Sequence, residues 1–244
     1  MGSITLRNAV RRILEEDDLK KVAMVIADEL DDVIKSEAEE ENGYAHPPMP
    51  EPDEPPTFVA EAKEAIKEGK YKVGDIVLEK YGVRWRLVDI SGENYTIMTD
   101  SAFTYAPFSR PDKAHPWGWN NWEESQIRTE LQSEWAPKLL GTEMILAKCN
   151  YKARAILFLL SEEEAGFKQT EETFDYFRLT DEVDEDELDR RRRLKDYEGD
   201  ECTWWLRSPY PGYANSVRRV DSDGSLDNNL AGYGHGAVAA CAIM

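Results

Sequence analysis

Apolar positions in the first 43 residues recur on a helical stripe. Leu6, Val10 and Ile13 share one face, and after Glu15–Asp18 the residues Leu19, Val22, Ile26, Leu30 and Val33 follow at spacings of 3, 4, 4 and 3. This pattern predicts a coiled-coil-like seam about two heptads long. It suits a helix packed on its own domain, a short helical hairpin or an oligomerisation stalk. Residues 44–56, with "HPPMPEPDEPP" from His46 to Pro56, read as a linker, because proline forbids helix and sheet interiors. A short helix is expected next, with Thr57 as N-cap and Gly69 as its stop.

Beyond Lys70 the period shortens. Strands are expected at Asp75–Glu79, Val83–Ile90 and Tyr95–Thr99, separated by Gly82 and by Ser91-Gly92. Asn121 and Glu124 form a candidate capping box for a helix with Ile127, Leu131 and Trp135 on one face. Ala155–Leu160 is expected as a buried strand, with Ser161 and Glu164 capping a helix after it. The charged insertion 180–200 predicts a solvated helix, with acid-before-base pairs at Asp186–Arg190, Glu187–Arg191 and Asp189–Arg193. Trp204–Leu206 and Ala237–Met244 are expected as framework strands, and Asp223-Gly224 as the turn of a hairpin joining Val217–Val220 to Ser225–Leu226. The fold class is α+β.

Charge narrows the partners. The 244 residues carry 30 basic and 49 acidic side chains, a net charge of −19. Nucleic-acid binding, whose footprint is a basic patch, is not expected. No apolar run approaches a membrane span, so no membrane insertion is expected, and no secretion signal is evident. The location expected is the cytoplasm or a phage virion. Cys149, Cys202 and Cys241 match no zinc spacing and read as reduced structural thiols.

Catalytic chemistry is sparse. His46, His115 and His235 share no metal-ligand spacing, and no HExxH, phosphate-binding glycine loop or GxSxG occurs. "DSDGSLDNN" misses the calcium-loop spacing. Neither a metal nor a cofactor is expected. A catalytic Cys–His pairing, such as Cys241 with His235, is weighed against the apolar run around Cys241, which reads as a core strand.

The tail from Trp204 to Met244 contains no Glu and no Lys, although these two types make up 43 of the 244 residues. Between Tyr210 and His235 it is dominated by Tyr, Ser, Gly, Asn and Asp. That is the composition of a paratope, in which Tyr offers rigid contact and the small polar residues adapt. It is equally the composition of a turn-rich edge of a β-domain.

"GDIVLEKYGVRWRLVDI", "WNNWEESQIRTELQSEW", "ILFLLSEEEA" and "WWLRSP…VRRVDSDGSL" follow one another in this chain. In that order they resemble the bacterial and phage domain family marked by a Trp-Trp-Leu-Arg-Ser-Pro motif, which is similar to the C-type-lectin-like fold shared with formylglycine-generating enzymes. The resemblance runs from about Val73 to Met244. It implies a C-type-lectin-like ligand-binding domain over 57–244, preceded by an N-terminal helical segment.

The segment 204–244 further resembles the variable region of a target protein of a diversity-generating retroelement, followed by a constant tail. Randomising the first two bases of an Asn codon cannot yield Lys, Glu, Gln, Met or Trp. None of the five occurs among the 26 residues from Tyr210 to His235, where their frequency elsewhere in the chain would give about seven. On this resemblance the variable, ligand-contacting positions are Tyr210, Gly212, Tyr213, Asn215, Ser216, Arg219, Asp221, Asp227, Asn228, Asn229, Leu230, Gly232, Tyr233 and His235. Val217, Arg218, Val220, Gly224 and Leu226 would be the constant frame.

The implied activity is non-enzymatic binding of a variable protein ligand, as in phage host recognition, with a homo-oligomer built through the N-terminal helices. The Glu-Pro-Asn and Trp-Asn-Asp motifs of calcium-dependent lectins are absent. Two alternatives stand beside this reading. One is a formylglycine-generating type of oxidase using Cys241, which needs a cleft reaching that thiol. The other is a plain structural domain.

Overall fold

Helix α1 (Val59–Lys67) follows the linker and turns Val59, Ala62 and Ile66 into the core at spacings of three and four. In this computed structural model the described residues are 56–196 and 198–243. The helical segment expected over residues 1–43, its seam, and the linker as far as residue 55 lie outside them. The chain divides into Met1–Asp53 and Glu54–Met244, and the second unit is the one described below. The N-cap of α1 is Phe58, not Thr57, and no side chain caps it. Gly69 stops the helix at φ +78°, a left-handed conformation that glycine adopts without strain.

Three strands follow: β1 (Ile76–Lys80), β2 (Val83–Ser91) and β3 (Asn94–Thr99). Tyr81 and Gly82 both take positive φ in the two-residue β1–β2 turn, and Gly92 does so between β2 and β3. β4 (Thr104–Pro107) comes next, then a helical stretch whose first part is α2 (Gln126–Glu130) and last part α3 (Ala136–Leu140), with a π-helical turn at Leu131–Trp135 between them. The capping expectation needs correcting here. Asn121 caps only a short 3-10 turn at Trp122–Glu124, and Ser125 caps α2 by accepting the Arg128 N–H at 3.3 Å. Ile127 and Leu131 are buried as expected, while Trp135 is half-buried against Phe103.

β5 (Ala147–Lys148) precedes a second departure. Residues 155–160 are largely buried, but they form no ladder strand: their pairing is limited to bridges at Ala155 and Phe158. The backbone instead gives its carbonyls to side chains. Gln132 Nε2 donates to Leu157, and Arg207 Nη1 to Leu159 at 2.7 Å. Ser161 and Glu164 do make the reciprocal capping pair, at 3.0 and 3.2 Å, yet only turns follow. The Glu164 carboxylate also takes part in a buried two-pronged ion pair with Arg207.

Helix α4 (Glu185–Arg192), capped by Asp184, forms within the charged insertion. It is only half solvated. Leu188 and Arg192 are buried, and Arg192 donates to the carbonyls of Ala165 and Gly166. Of the three expected pairs only Glu187–Arg191 forms, at 3.1 Å. Arg190 also turns to Glu187, Asp189 pairs with Arg192, and Arg193 donates to the Asp223 carbonyl.

The remaining strands are β6 (Leu194–Lys195), β7 (Glu201–Cys202), β8 (Trp204–Pro209), β9 (Ser216–Val220), β10 (Leu226–Leu230), β11 (Gly234–Ala237) and β12 (Ala240–Ile243). They complete two five-stranded sheets, ordered β1-β2-β3-β12-β5 and β10-β9-β8-β11-β4, with a separate β6-β7 pair. The architecture is α+β. Residues 234–243 explain their own composition: β11 lies in one sheet and β12 in the other, with Val238 and Ala239 crossing between them fully buried. Small side chains fit that passage through the core.

β8 carries the Trp-Trp-Leu-Arg-Ser-Pro motif at the middle of its sheet. Trp204, Trp205 and Leu206 are fully buried, as expected. Each indole N–H finds a carbonyl, Trp204 that of Arg192 and Trp205 that of Ala106, so neither ring buries an unpaired donor.

Candidate functional site

The hairpin β9–β10 supplies the frame on which most candidate positions sit. Val217 and Val220 are fully buried and anchor it, and Gly224 turns it at φ +90°. The register places Asp227 opposite Arg219, Asn228 opposite Arg218, and Leu230 opposite Ser216. Cross-strand position then becomes chemistry: Arg219 Nη2 lies 2.8 Å from Asp227 Oδ2 and 3.6 Å from Asp221 Oδ2.

The same guanidinium reaches His235. Arg219 Nη1 lies 3.3 Å from His235 Nε2, which also faces Asn229 Nδ2 at 2.9 Å. An arginine can only donate, so Nε2 is the acceptor of a neutral ring and Nδ1 carries the proton. That N–H donates to Thr203 Oγ1 at 2.6 Å, and the ring meets Trp205 edge-on at 4.5 Å. Burial, and secondarily the charge of Arg219, push the His235 pKa down to about 4.

Three expected contact positions therefore need correcting. His235 and Ser216 are buried, at 8% and 7% exposure, and face the fold rather than solvent. Gly232 is partly exposed, but a β-carbon there would stand 2.8 Å from Pro111 Cγ and 3.1 Å from the Trp117 carbonyl, leaving no room for a side chain. The other positions reach solvent. Tyr213, Tyr233 and Gly212 are exposed, and Tyr210, Asn215, Arg219, Asp221, Asp227, Asn228, Asn229 and Leu230 are half-buried.

The outermost of these cluster with a loop that composition had not marked. Tyr213 (61% exposed), Tyr233 (51%) and Trp117 (56%) are the large aromatic side chains left in solvent here. The Tyr210 and Tyr213 rings stack at 5.5 Å, and the Arg218 guanidinium lies 4.7 Å from the Tyr210 ring. Residues 114–118 and 212–215 together line a cavity of about 380 Å³.

Hydrogen bonds from the Asn120 side chain and from the backbone stitch the two walls together. Asn120 Nδ2 donates to the carbonyls of Tyr213 (2.8 Å) and Ser216 (3.0 Å), the Asn120 N–H to Ala214, and the Gly232 N–H to Trp117. The loop is braced internally as well. Asp112 accepts the N–H groups of Ala114 and His115, the latter bond chiefly lowering its carboxyl pKa, and His115 stacks flat on Trp119 at 4.7 Å. The signal for this wall was the pair of tryptophans in "PDKAHPWGW", since a loop has no helical or strand stripe to occupy them.

The arrangement offers amphipathic contact area and hydrogen bonding around a shallow apolar hollow. The Cys241 thiol is not part of it. Cys241 is fully buried in β12 between β3 and β5, and burial pushes its thiol up to about 12. The cleft that the oxidase alternative requires does not reach it. Among the described residues, no group of three or more His, Cys, Asp or Glu is placed to hold a metal ion, and no helix is long and apolar enough to cross a membrane.

Comparison with known proteins adds one relationship. No curated protein and no solved structure matches the chain. The family model DUF6273, a domain of unknown function, matches residues 93–243, from the start of β3 to the end of β12. Both walls of the aromatic surface and the whole β8–β12 frame fall within that match, and the chain belongs to the DUF6273 family.

Proposed function

We propose that this protein is a non-enzymatic ligand-binding protein of the C-type-lectin-like class, with a contact surface diversified by a retroelement. The observation that carries the reading is the grouping of Tyr213, Tyr233 and Trp117 in solvent, on loops whose backbones are hydrogen-bonded to one another. Rigid aromatic side chains bind with little entropic loss, and the surrounding Asn, Asp and Gly positions adapt to the partner. The ligand is a protein surface, and host recognition by a phage is the setting that fits best.

The buried positions refine the proposal. Contacts centre on Tyr210, Gly212, Tyr213, Asn215 and Tyr233, with Arg219, Asp221, Asp227, Asn228, Asn229 and Leu230 continuing the face along the hairpin. Ser216 and His235 support it from below, and Gly232 fits closely against Pro111 and the Trp117 carbonyl. A helical N-terminus that assembles several copies would raise a modest single-site affinity through avidity.

Sequencing the DNA that adjoins the gene tests the diversification. The expected result is a reverse-transcriptase gene together with a near-copy of the segment encoding residues 210–235, differing only at template adenines. A flanking region with neither element would refute the retroelement origin.

A further inference from the structure

A second cavity, of about 660 Å³, opens at the start of β2, the end of α4 and the β6 strand. Six cationic side chains line it: Arg84, Arg86, Arg190, Arg191, Arg193 and Lys195. Three carboxylates share the lining, Asp100, Asp196 and Glu198. In a chain of net charge −19 such a surplus of cations in one hollow opposes the overall field.

Some of these groups are already engaged. Arg86 is paired with Asp100 and donates to the Gly74 carbonyl. Arg190 and Arg191 share Glu187, and Arg191 also donates to the Tyr176 carbonyl at 2.7 Å. Asp196 is taken up within its own turn, accepting the N–H groups of Glu198, Gly199 and Asp200 at 2.8 to 3.1 Å. The Tyr176 ring, also on the cavity wall, has the guanidinium groups of Arg86 and Arg191 at 5.4 and 4.9 Å from its centre.

Arg84 and Lys195 are different. Both are exposed, and neither side chain makes a hydrogen bond or ion pair among the described residues. Basic residues in the last turn of α4 complement the helix dipole, which gives Arg190 and Arg191 a structural reason. That reason does not extend to Arg84 on β2 or Lys195 on β6. Convergence of unpaired cations from separate elements is what a bound anion requires.

We propose that this cavity binds a small molecule bearing a diphosphate, with Arg84 and Lys195 as its principal contacts and Arg190, Arg191 and Arg193 around it. Planar guanidinium forks favour phosphate oxygens, which can accept from several donors at once. The volume is in the range of small-molecule sites, about 300–1,000 Å³, and exceeds the need of a single phosphate.

Isothermal titration of the full chain with pyrophosphate, ADP and tricarballylate tests the site. Saturable binding of pyrophosphate is expected, weakening at about 0.15 M salt and by at least about tenfold in the double variant Arg84→Ala/Lys195→Ala. Both residues are exposed, so the double variant should keep the wild-type thermal melt. Tyr213→Ala should bind pyrophosphate as the wild type does, which separates this site from the aromatic surface. ADP binding equal to or tighter than pyrophosphate supports the proposal and shows whether a nucleoside adds to it. Absence of saturable binding at millimolar pyrophosphate, unchanged binding in the double variant, or equal binding of the tricarboxylate would overturn it.

Discussion

Two aromatic residues eight positions apart, Trp205 and Tyr213, have opposite fates. Trp205 is fully buried with its indole N–H on the Ala106 carbonyl, and Tyr213 is mostly in solvent. Trp205→Ala should cost roughly 3–5 kcal/mol, the usual penalty for emptying a large buried site. Tyr213→Ala should change stability by no more than about 0.5 kcal/mol. Matched chemical denaturation of the two variants checks both, and a larger loss for Tyr213→Ala would invert the assignment of frame and face.

His235 gives a second expectation at this scale. Its pKa falls from an ordinary 6.5 to about 4 on folding, so the unfolded chain binds a proton that the folded one refuses. The stability tied to its neutral form is fully present above pH 6.5 and is lost as pH falls through that value toward 4. His235→Gln removes the titrating group. The wild type should therefore lose up to about 3 kcal/mol more than the variant between pH 7 and pH 4. Parallel pH dependences of the two proteins would show that His235 is not held neutral. The sequence marked this residue as a contact position ahead of the strand expected at Ala237–Met244, whereas it lies within β11. Its burial beneath Arg219 and Asn229 depends on strands that meet only in the fold.

Among the elements, the hairpin and its neighbouring loop decide which positions can vary. Gly212 has nothing within 4 Å of a would-be β-carbon and a φ of +85°, a conformation that asparagine tolerates. Gly232 is closed off by the Pro111 ring and the Trp117 carbonyl. Gly212→Asn meets only the backbone strain that asparagine tolerates best and should cost no more than about 1 kcal/mol, whereas Gly232→Asn should cost about 1–3 kcal/mol through overpacking. Thermal melts of the pair measure this, and equal stability would mean that the loop at Pro111–Trp117 yields freely. Alternation and turn residues made β1 to β3 and the β9–β10 hairpin legible in advance. The same reasoning failed over residues 155–160. An apolar run says that a segment is buried, not how its carbonyls are satisfied, and here Gln132 and Arg207 take that role in place of a ladder. It also over-solvated α4, because an arginine satisfied by two buried carbonyls has the same sequence signature as one in water.

At the scale of the whole molecule, the seam expected over residues 1–43 predicts self-association. Light scattering of the full chain should report an oligomer, and a chain lacking residues 1–53 should be a monomer. A monomeric full chain would leave the seam to pack within its own unit. Acidity argues against a nucleic-acid footprint for the molecule as an average, yet six cations still line one cavity. Net charge is a sum over the surface and carries no information on where the minority sign collects.

The sequence by itself determined the α+β class, the buried Trp-Trp-Leu core of β8, the hairpin turn at Asp223-Gly224, and the compositional break that begins near Tyr210. Each of these is local, a matter of period, turn chemistry or residue type within a short window. Tertiary structure alone decided that β11 and β12 divide between two sheets, that Trp117 joins Tyr213 and Tyr233, and that His235 is sealed while Tyr233 is open. Those facts rest on contacts between residues far apart in the chain, which packing selects and local pattern does not encode.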